Sequence, residues 1–353
     1  MTRERLRVDD FDYELPTDAI AQRPVEPRDA SRLLVLDRSY PGRLGHLTFH
    51  DIAERLASGD LLMVNDSRVI PARLAARRRS GGAVEILVLR LLRDGSGRWE
   101  ALVRPSRKVA VGESVSLRSG DSVEVGEALG DGIRAVRFDG DPHAVMAAAG
   151  EMPLPPYIHD RSAPAERYQT VYSRPPGSAA APTAGLHFTP ELLASLEAGG
   201  VSRVGVTLHV GLDTFRPLEH EFVDEHRIHR EWYEVPPATR AAIGAARRAG
   251  GRVVAVGTTA VRVLETAARS QAESGWTDLY VTPPYRFSAV DVLITNFHLP
   301  RSSLLLLVTA FVQAGMPAGT TPLAARDVLL GAYHAALDAG YRFYSFGDAM
   351  LIV

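Results

Sequence analysis

The stretch RVVAVGTTAVRVLETAAR, Arg252 to Arg269, decides the fold class. RVVAV (Arg252 to Val256) is a short, continuous apolar run of the kind covered on both faces of a parallel sheet. Gly257 lets the chain turn sharply, Thr258 or Thr259 can cap a helix, and helical spacing runs from Ala260 to Arg269. Strand, tight turn and helix in direct succession build an α/β fold. The pattern continues on both sides. RVGVTLHV (Arg203 to Val210) precedes a helix from Ala238 to Ala249 that stops at Gly250-Gly251. DVLIT (Asp291 to Thr295) leads through NFHLP into a helix from Ser302 to Gln313, and Pro322 to Ala339 forms a last helix before FYSFGDAMLI. Upstream, Thr189 and Pro190 open a helix to Ala198, while RLLVLD (Arg32 to Asp37) and DLLMVND (Asp60 to Asp66) are buried strands flanking a short helix, Ile52 to Leu56.

Between Ala72 and Ala144 the texture changes. VEILVLRLL, WEALVRP, SVSL, SVEV and IRAVRF are separated by RDGSGR, RSGD and GDG, which is turn chemistry at short, regular spacing. The expectation is a mostly parallel sheet flanked by helices, residues 1–71 and 145–353, with an inserted all-β barrel, residues 72–144. The Pro-, Ser- and Ala-rich segment Glu151 to Thr183 carries tyrosines and histidines that favour an ordered, functional loop.

The 353 residues are 46% apolar and 23% charged, enough for two domains with ordinary cores. Basic and acidic side chains, 40 against 42, leave a net charge of -2, so no global positive field points to nucleic acid. Zero cysteines exclude disulfides, thiolate zinc sites and iron–sulfur clusters. The longest apolar run, Leu304 to Val312, is about half a membrane span, and the N-terminus has no signal-peptide core. A cytoplasmic monomer without membrane attachment is expected.

Several strands end in polar, small residues: Asn65-Asp66-Ser67-Arg68, His209-Val210-Gly211, Gly257-Thr258-Thr259 and Asn296-Phe297-His298. Ligands in open α/β sheets bind outside the carboxyl ends of strands, so these clusters are expected to converge. Taken singly, each reads better as a cap or turn, and it is the four together that point to a site. PTAGLHF sets His187 beside Thr183 and Gly185 just before a helix, either as a general base or as a hydrogen-bonded loop residue. His226 and His229 have metal-like spacing on an expected helix but no third ligand, so a solvated face is the better reading. Arg73, Arg77, Arg78 and Arg79, with Arg104, Arg107 and Lys108, are either solvated charge or phosphate contacts. No Walker A or G-x-G-x-x-G loop is present.

As a set, the motifs resemble the S-adenosylmethionine:tRNA ribosyltransferase-isomerase family of queuosine biosynthesis. The resemblance rests on ELPTDAIAQRPVEPRDASRLLVLDR, LLMVNDSRVIPARL, MPLPPYI, ERYQTVYS, AAPTAGLHFTPELL, VTLHVGLDTFRPL, EWYEVP, VVAVGTTAVRVLE, VDVLITNFHLPRSSLLLLVTAF and YRFYSFGDAMLI, in order from Asp9 to Val353. It implies an α/β domain with an inserted β-barrel and S-adenosylmethionine as co-substrate, with no metal or redox cofactor. It also implies a tRNA partner with a GUN anticodon whose wobble base is 7-aminomethyl-7-deazaguanine. An epoxycyclopentanediol ring is built on that amine, and adenine and methionine leave. This chain departs from the family where Asp213 and Pro284 replace glycines and Ser67 replaces threonine.

Such chemistry needs a base to take a ribose hydrogen acidified by the sulfonium. His187 is the first candidate, followed by His209 and His298. The donor carboxylate suits Thr258, Thr259 and Arg262 or Arg68. Asp66 can balance the sulfonium or hold a ribose hydroxyl, and Asn65 and Asn296 can read a base. Two other readings compete. A methyltransferase should show a glycine-rich first βα loop with an acidic residue closing the next strand, a pair not found here. A tRNA-binding protein without turnover fits poorly with the retained PTAGLHF, GTT and NFHLP.

Overall fold

Leu61–Asn65, Val253–Val256, Val292–Asn296 and Ala349–Ile352 are strands in which every residue is buried, as their unbroken apolar runs require. They lie inside a 9-stranded sheet of a computed structural model that describes residues 5–92, 94–130, 132–211, 218–270 and 272–353. The strand order is Ser274–Thr277, Glu231–Glu234, Ser202–Leu208, Leu61–Asn65, Val253–Val256, Val292–Asn296, Ala349–Ile352, Arg32–Leu36 and Leu44–Thr48.

The sheet is mixed, and the expected parallel arrangement holds for its four central strands and one outer pair. Ser202–Leu208, Leu61–Asn65, Val253–Val256 and Val292–Asn296 run parallel, as do Ala349–Ile352 and Arg32–Leu36. The other neighbours pair antiparallel. Connection length explains the pairing of Arg32–Leu36 with Leu44–Thr48, because a parallel return needs a helix-sized crossover and residues 37–43 can only reverse the chain.

Helices cover both faces. On one, Thr258–Arg269, Ser303–Gly315 and Pro322–Asp338 contribute Val261, Leu306 and Tyr333 to the largest core cluster. On the other, Pro190–Ala198 and the 3-10 helix Phe49–Glu54 bring Leu192, Leu196, Phe49 and Ile52 against Leu62 and Val254. Leu305 to Val312 are all buried at the centre of their helix, which accounts for the apolar run. Among the described residues, no helix is long and apolar enough to cross a membrane.

Arg73–Arg77, Ala83–Leu91, Trp99–Arg104, Ile133–Phe138, Ser122–Gly130 and Glu113–Leu117 form an antiparallel barrel that closes through Ala76 and Leu117. The first of these escapes a sequence reading because RLAAR buries only Leu74 and Ala76. Asp141 caps the helix Pro142–Ala149, whose Val145, Met146 and Ala149 enter the barrel core, and Gly150–Glu151 pairs with Arg73–Arg77. These contacts carry barrel packing past residue 144. The long segment after it is ordered: Pro176–Ser178 pairs with Arg68–Val69, and Ile158 and Tyr168 pack on Phe346 in a small core.

Candidate active site

Gly257 adopts φ +86 and ψ 155, a conformation essentially reserved for glycine, and so turns Val253–Val256 directly into the helix Thr258–Arg269. The helix start, buried at Thr258 and Thr259, borders a cleft at the carboxyl ends of the central strands. Thr183, Thr258, Thr259, Asn296 and His298 line it together with Tyr157, Tyr344 and Ser345, around an open space of about 620 Å³.

Asn296 organises this cleft. Its Nδ2 donates to the Tyr344 carbonyl at 3.1 Å and to His187 Nε2 at 3.3 Å, while Thr183 Oγ1 donates to its Oδ1 at 3.0 Å. With Nε2 accepting, His187 Nδ1 donates to Ser31 Oγ at 2.7 Å. The ring stacks on Phe49 at 4.9 Å, behind Asn296, and burial pushes its pKa down to about 4. His298 pairs with Thr295 Oγ1 at 2.8 Å and is driven by burial to about 3. Both imidazoles are therefore neutral near pH 7. Tyr344 sits at φ +71, strained backbone for an aromatic residue, with its ring 4.8 Å from that of Tyr157. Tyr157 in turn shares a 2.7 Å hydrogen bond with Ser345.

A second cleft opens between sheet and barrel. His209 stands on its wall, its Nδ1 2.9 Å from Ser67 Oγ and its ring stacked 5.5 Å from Trp232. A Cβ on Gly177 would lie 2.8 Å from the His209 ring, so glycine is required there. Residues 176–182 and 209–211 separate the two clefts, with Gly177 and Gly211 on one and Ala181 and Val210 on the other.

Other expected site residues are engaged elsewhere. Asn65 is a structural knot: its amide donates to the Leu208 carbonyl at 3.0 Å, and its oxygen accepts from the Leu208 and Ser67 backbones. Arg262 forms a buried ion pair with Glu231 and donates to the Leu279 carbonyl, while Glu231 also accepts from the Gly211 backbone at 2.8 Å. Asp66 accepts from Thr207 Oγ1 at 2.7 Å, and burial raises its pKa. Asp66 and Arg68 line neither cleft, and Arg68 is held by Glu166 and Ser173. Gly185 supports the loop, since a Cβ there would collide with the Tyr172 hydroxyl. Asp213 lies outside the described residues. Pro284 begins a segment pinned by Glu265 through Ser288 and Ala289 and borders neither cleft.

On the barrel, Arg73 pairs with Glu85, Arg78 binds Glu113 through two nitrogens, and Arg77 reaches the Gly81 carbonyl. Arg79, Arg104, Arg107 and Lys108 are exposed. His226 and His229 are not helical, because the 3-10 turn Val223–Glu225 gives way to extended chain leading into Glu231–Glu234. Among the described residues, no group of three or more His, Cys, Asp or Glu is placed to hold a metal.

Sequence reasoning missed Tyr157, Tyr344, Ser345, Glu231 and the tryptophans. For Tyr157, Tyr344, Ser345, Glu231 and Trp232 the only signal is membership of the MPLPPYI, YRFYSFGDAMLI and EWYEVP motifs, and Trp99 and Trp276 lie in none of these, because period and spacing do not mark isolated aromatics.

A family model described as "Queuosine biosynthesis protein" matches residues 8–352. A protein of Moorella thermoacetica named S-adenosylmethionine:tRNA ribosyltransferase-isomerase is 52% identical, over 99% of this chain and 100% of its own length. A protein of the same name from Thermotoga maritima is 48% identical, again over 99% of this chain and 100% of its own. The crystal structure of an S-adenosylmethionine tRNA ribosyltransferase from Thermotoga maritima matches at TM-score 0.55 and 40% identity, covering 98% of this chain and 100% of that one.

Proposed function

Because this chain belongs to the queuosine biosynthesis protein family, as an S-adenosylmethionine:tRNA ribosyltransferase-isomerase, we propose that it moves and isomerises the ribosyl group of S-adenosylmethionine onto 7-aminomethyl-7-deazaguanine. The acceptor is the wobble base of tRNAs with GUN anticodons, and the products are epoxyqueuosine-tRNA, adenine and methionine. S-adenosylmethionine is a co-substrate, no further cofactor takes part, and the enzyme works as a cytoplasmic monomer.

The observation that carries this reading is the convergence of Thr183, Thr258, Thr259, Asn296 and His298 on one cleft at the carboxyl ends of parallel strands. The start of the helix Thr258–Arg269 offers backbone N–H groups to the donor carboxylate. Tyr157 and Tyr344 offer rings to its adenine. Arg262 is committed to Glu231, which leaves the helix start as the better carboxylate seat.

The sulfonium acidifies the neighbouring ribose hydrogens, so a base removes one. The sugar then opens, adenine departs, and the nucleic-acid amine attacks with loss of methionine. Burial makes His187 and His298 weak proton acceptors, which moves the base assignment to half-buried His209 beside the wall between the clefts. His187 acts through Asn296 as a positioning residue. Exposed Arg104, Arg107 and Lys108, with Arg77 and Arg79, supply phosphate contacts.

The test is incubation with S-adenosylmethionine and an anticodon stem–loop bearing 7-aminomethyl-7-deazaguanine. Mass spectrometry should find adenine, methionine and a heavier RNA, all dependent on both substrates. S-adenosylhomocysteine in place of adenine would instead establish methyl transfer.

A further inference from the structure

The chain contains 3 tryptophans, Trp99, Trp232 and Trp276, and all border the cleft between barrel and sheet. Trp232 and Trp276 stand directly opposite each other on antiparallel strands, which puts both side chains on one face of the sheet. His209 extends this surface by stacking on Trp232. The Arg90 guanidinium lies 4.7 Å over the Trp276 ring, is fork-bonded to Glu100, and donates to the Arg230 carbonyl at 2.6 Å, so a barrel side chain reaches across to the sheet. Trp99 faces this arrangement from the barrel, and its buried Nε1 donor has no hydrogen-bond partner. The open space is about 1140 Å³.

Flat aromatic walls, an unsatisfied ring N–H and a carboxylate–guanidinium pair at the rim suit a planar heteroaromatic ring with donors and acceptors on its edge. We propose that this cleft receives a purine-like nucleobase turned out of the single-stranded loop of an RNA. The inference rests on the RNA-modifying reading above and adds where the acceptor base stacks. Trp99 and exposed Arg104 are the two ends of one barrel strand, about 17 Å apart at the usual rise per residue. One RNA strand can thus lay phosphates on the barrel while a base enters the cleft, the combination used by single-strand binders. The base then lies across the 176–182 and 209–211 wall from the cleft at the strand ends.

Because all the tryptophans border this cleft, their emission reports on it. An unmodified anticodon stem–loop RNA with 2-aminopurine at the wobble position is titrated into the full-length protein. Tryptophan emission should be quenched saturably while 2-aminopurine emission falls. Trp276→Leu should weaken RNA binding by about 5- to 150-fold, the range of one lost base–aromatic stack, and remove most of the 2-aminopurine change. Its salt dependence should match that of the wild type, since no phosphate contact is removed. Trp276→Phe, which keeps a ring, should restore most of the affinity. RNA that binds at saturation with tryptophan emission unchanged overturns the proposal, as does Trp276→Leu with full affinity and signal. Equal quenching by S-adenosylhomocysteine alone also overturns it, by giving the cleft to the donor. No RNA binding at low salt removes the RNA-modifying reading itself, and this proposal with it.

Discussion

Acidification from pH 7.5 to pH 5 should cost the folded state about 4 kcal/mol through His187 and His298. Both rings are buried, which holds His187 at about 4 and His298 at about 3, against roughly 6.5 in an unfolded chain. A native pKa below the unfolded one means that the unfolded state binds more protons. Stability is therefore fully present above about pH 6.5, falls as pH drops, and stops falling near the native values. At pH 5 each imidazole is almost wholly charged when unfolded and almost wholly neutral when folded, so each costs about 2 kcal/mol at about 1.4 kcal/mol per pH unit. Around His187, Arg342 and Arg28 reinforce the effect of burial and Asp348 opposes it. Urea unfolding across this range on wild type, His187→Gln and His298→Gln isolates each ring from the carboxylates. Each variant should lose about 2 kcal/mol less than wild type between the two ends. Parallel profiles for all three proteins would refute the buried, neutral imidazoles and the demotion of His187 as a base.

Further perturbations probe the rest of the site. Gly257→Ala forces a side chain onto φ +86 and should cost about 1 to 3 kcal/mol in urea unfolding, with donor KM rising more than kcat falls. Glu231→Gln strands the buried Arg262 charge and should cost about 3 to 5 kcal/mol, partly recovered by Arg262→Met in the same chain; calorimetry of both decides it. Replacing Arg104, Arg107 and Lys108 by Glu should weaken stem–loop binding and lower the slope of log affinity against log salt by about 1 per lost phosphate contact, read by fluorescence anisotropy.

Where periodicity dominated, the fold was legible. RVVAV, DLLMVND and DVLIT become the buried central strands because only doubly covered positions tolerate such runs. The antiparallel entry of Ala349–Ile352 was not legible, since strand direction depends on a long-range partner and not on local pattern. RLAAR stayed hidden because one leucine and one alanine, Leu74 and Ala76, give too weak an alternation. At the candidate site, two of the strand-end clusters, Gly257-Thr258-Thr259 and Asn296-Phe297-His298, meet at one cleft, yet residue type could not separate cleft-lining groups from structural ones. Asn65 and Asn296 end the strands on either side of Val253–Val256 in similar ways, and only hydrogen bonding tells that Asn65 ties strands while Asn296 orders a cleft. Likewise, burial of His187 behind Asn296 depends on Phe49 and Ser31, which lie far away in sequence.

The most direct measurement follows two labels in one reaction, using S-adenosylmethionine with carbon-14 in the ribose and tritium in the methyl group, and a stem–loop bearing 7-aminomethyl-7-deazaguanine. Ribosyl transfer puts carbon-14 into the RNA and leaves tritium in free methionine. Tritium in the RNA, with carbon-14 left on a released nucleoside, would contradict it.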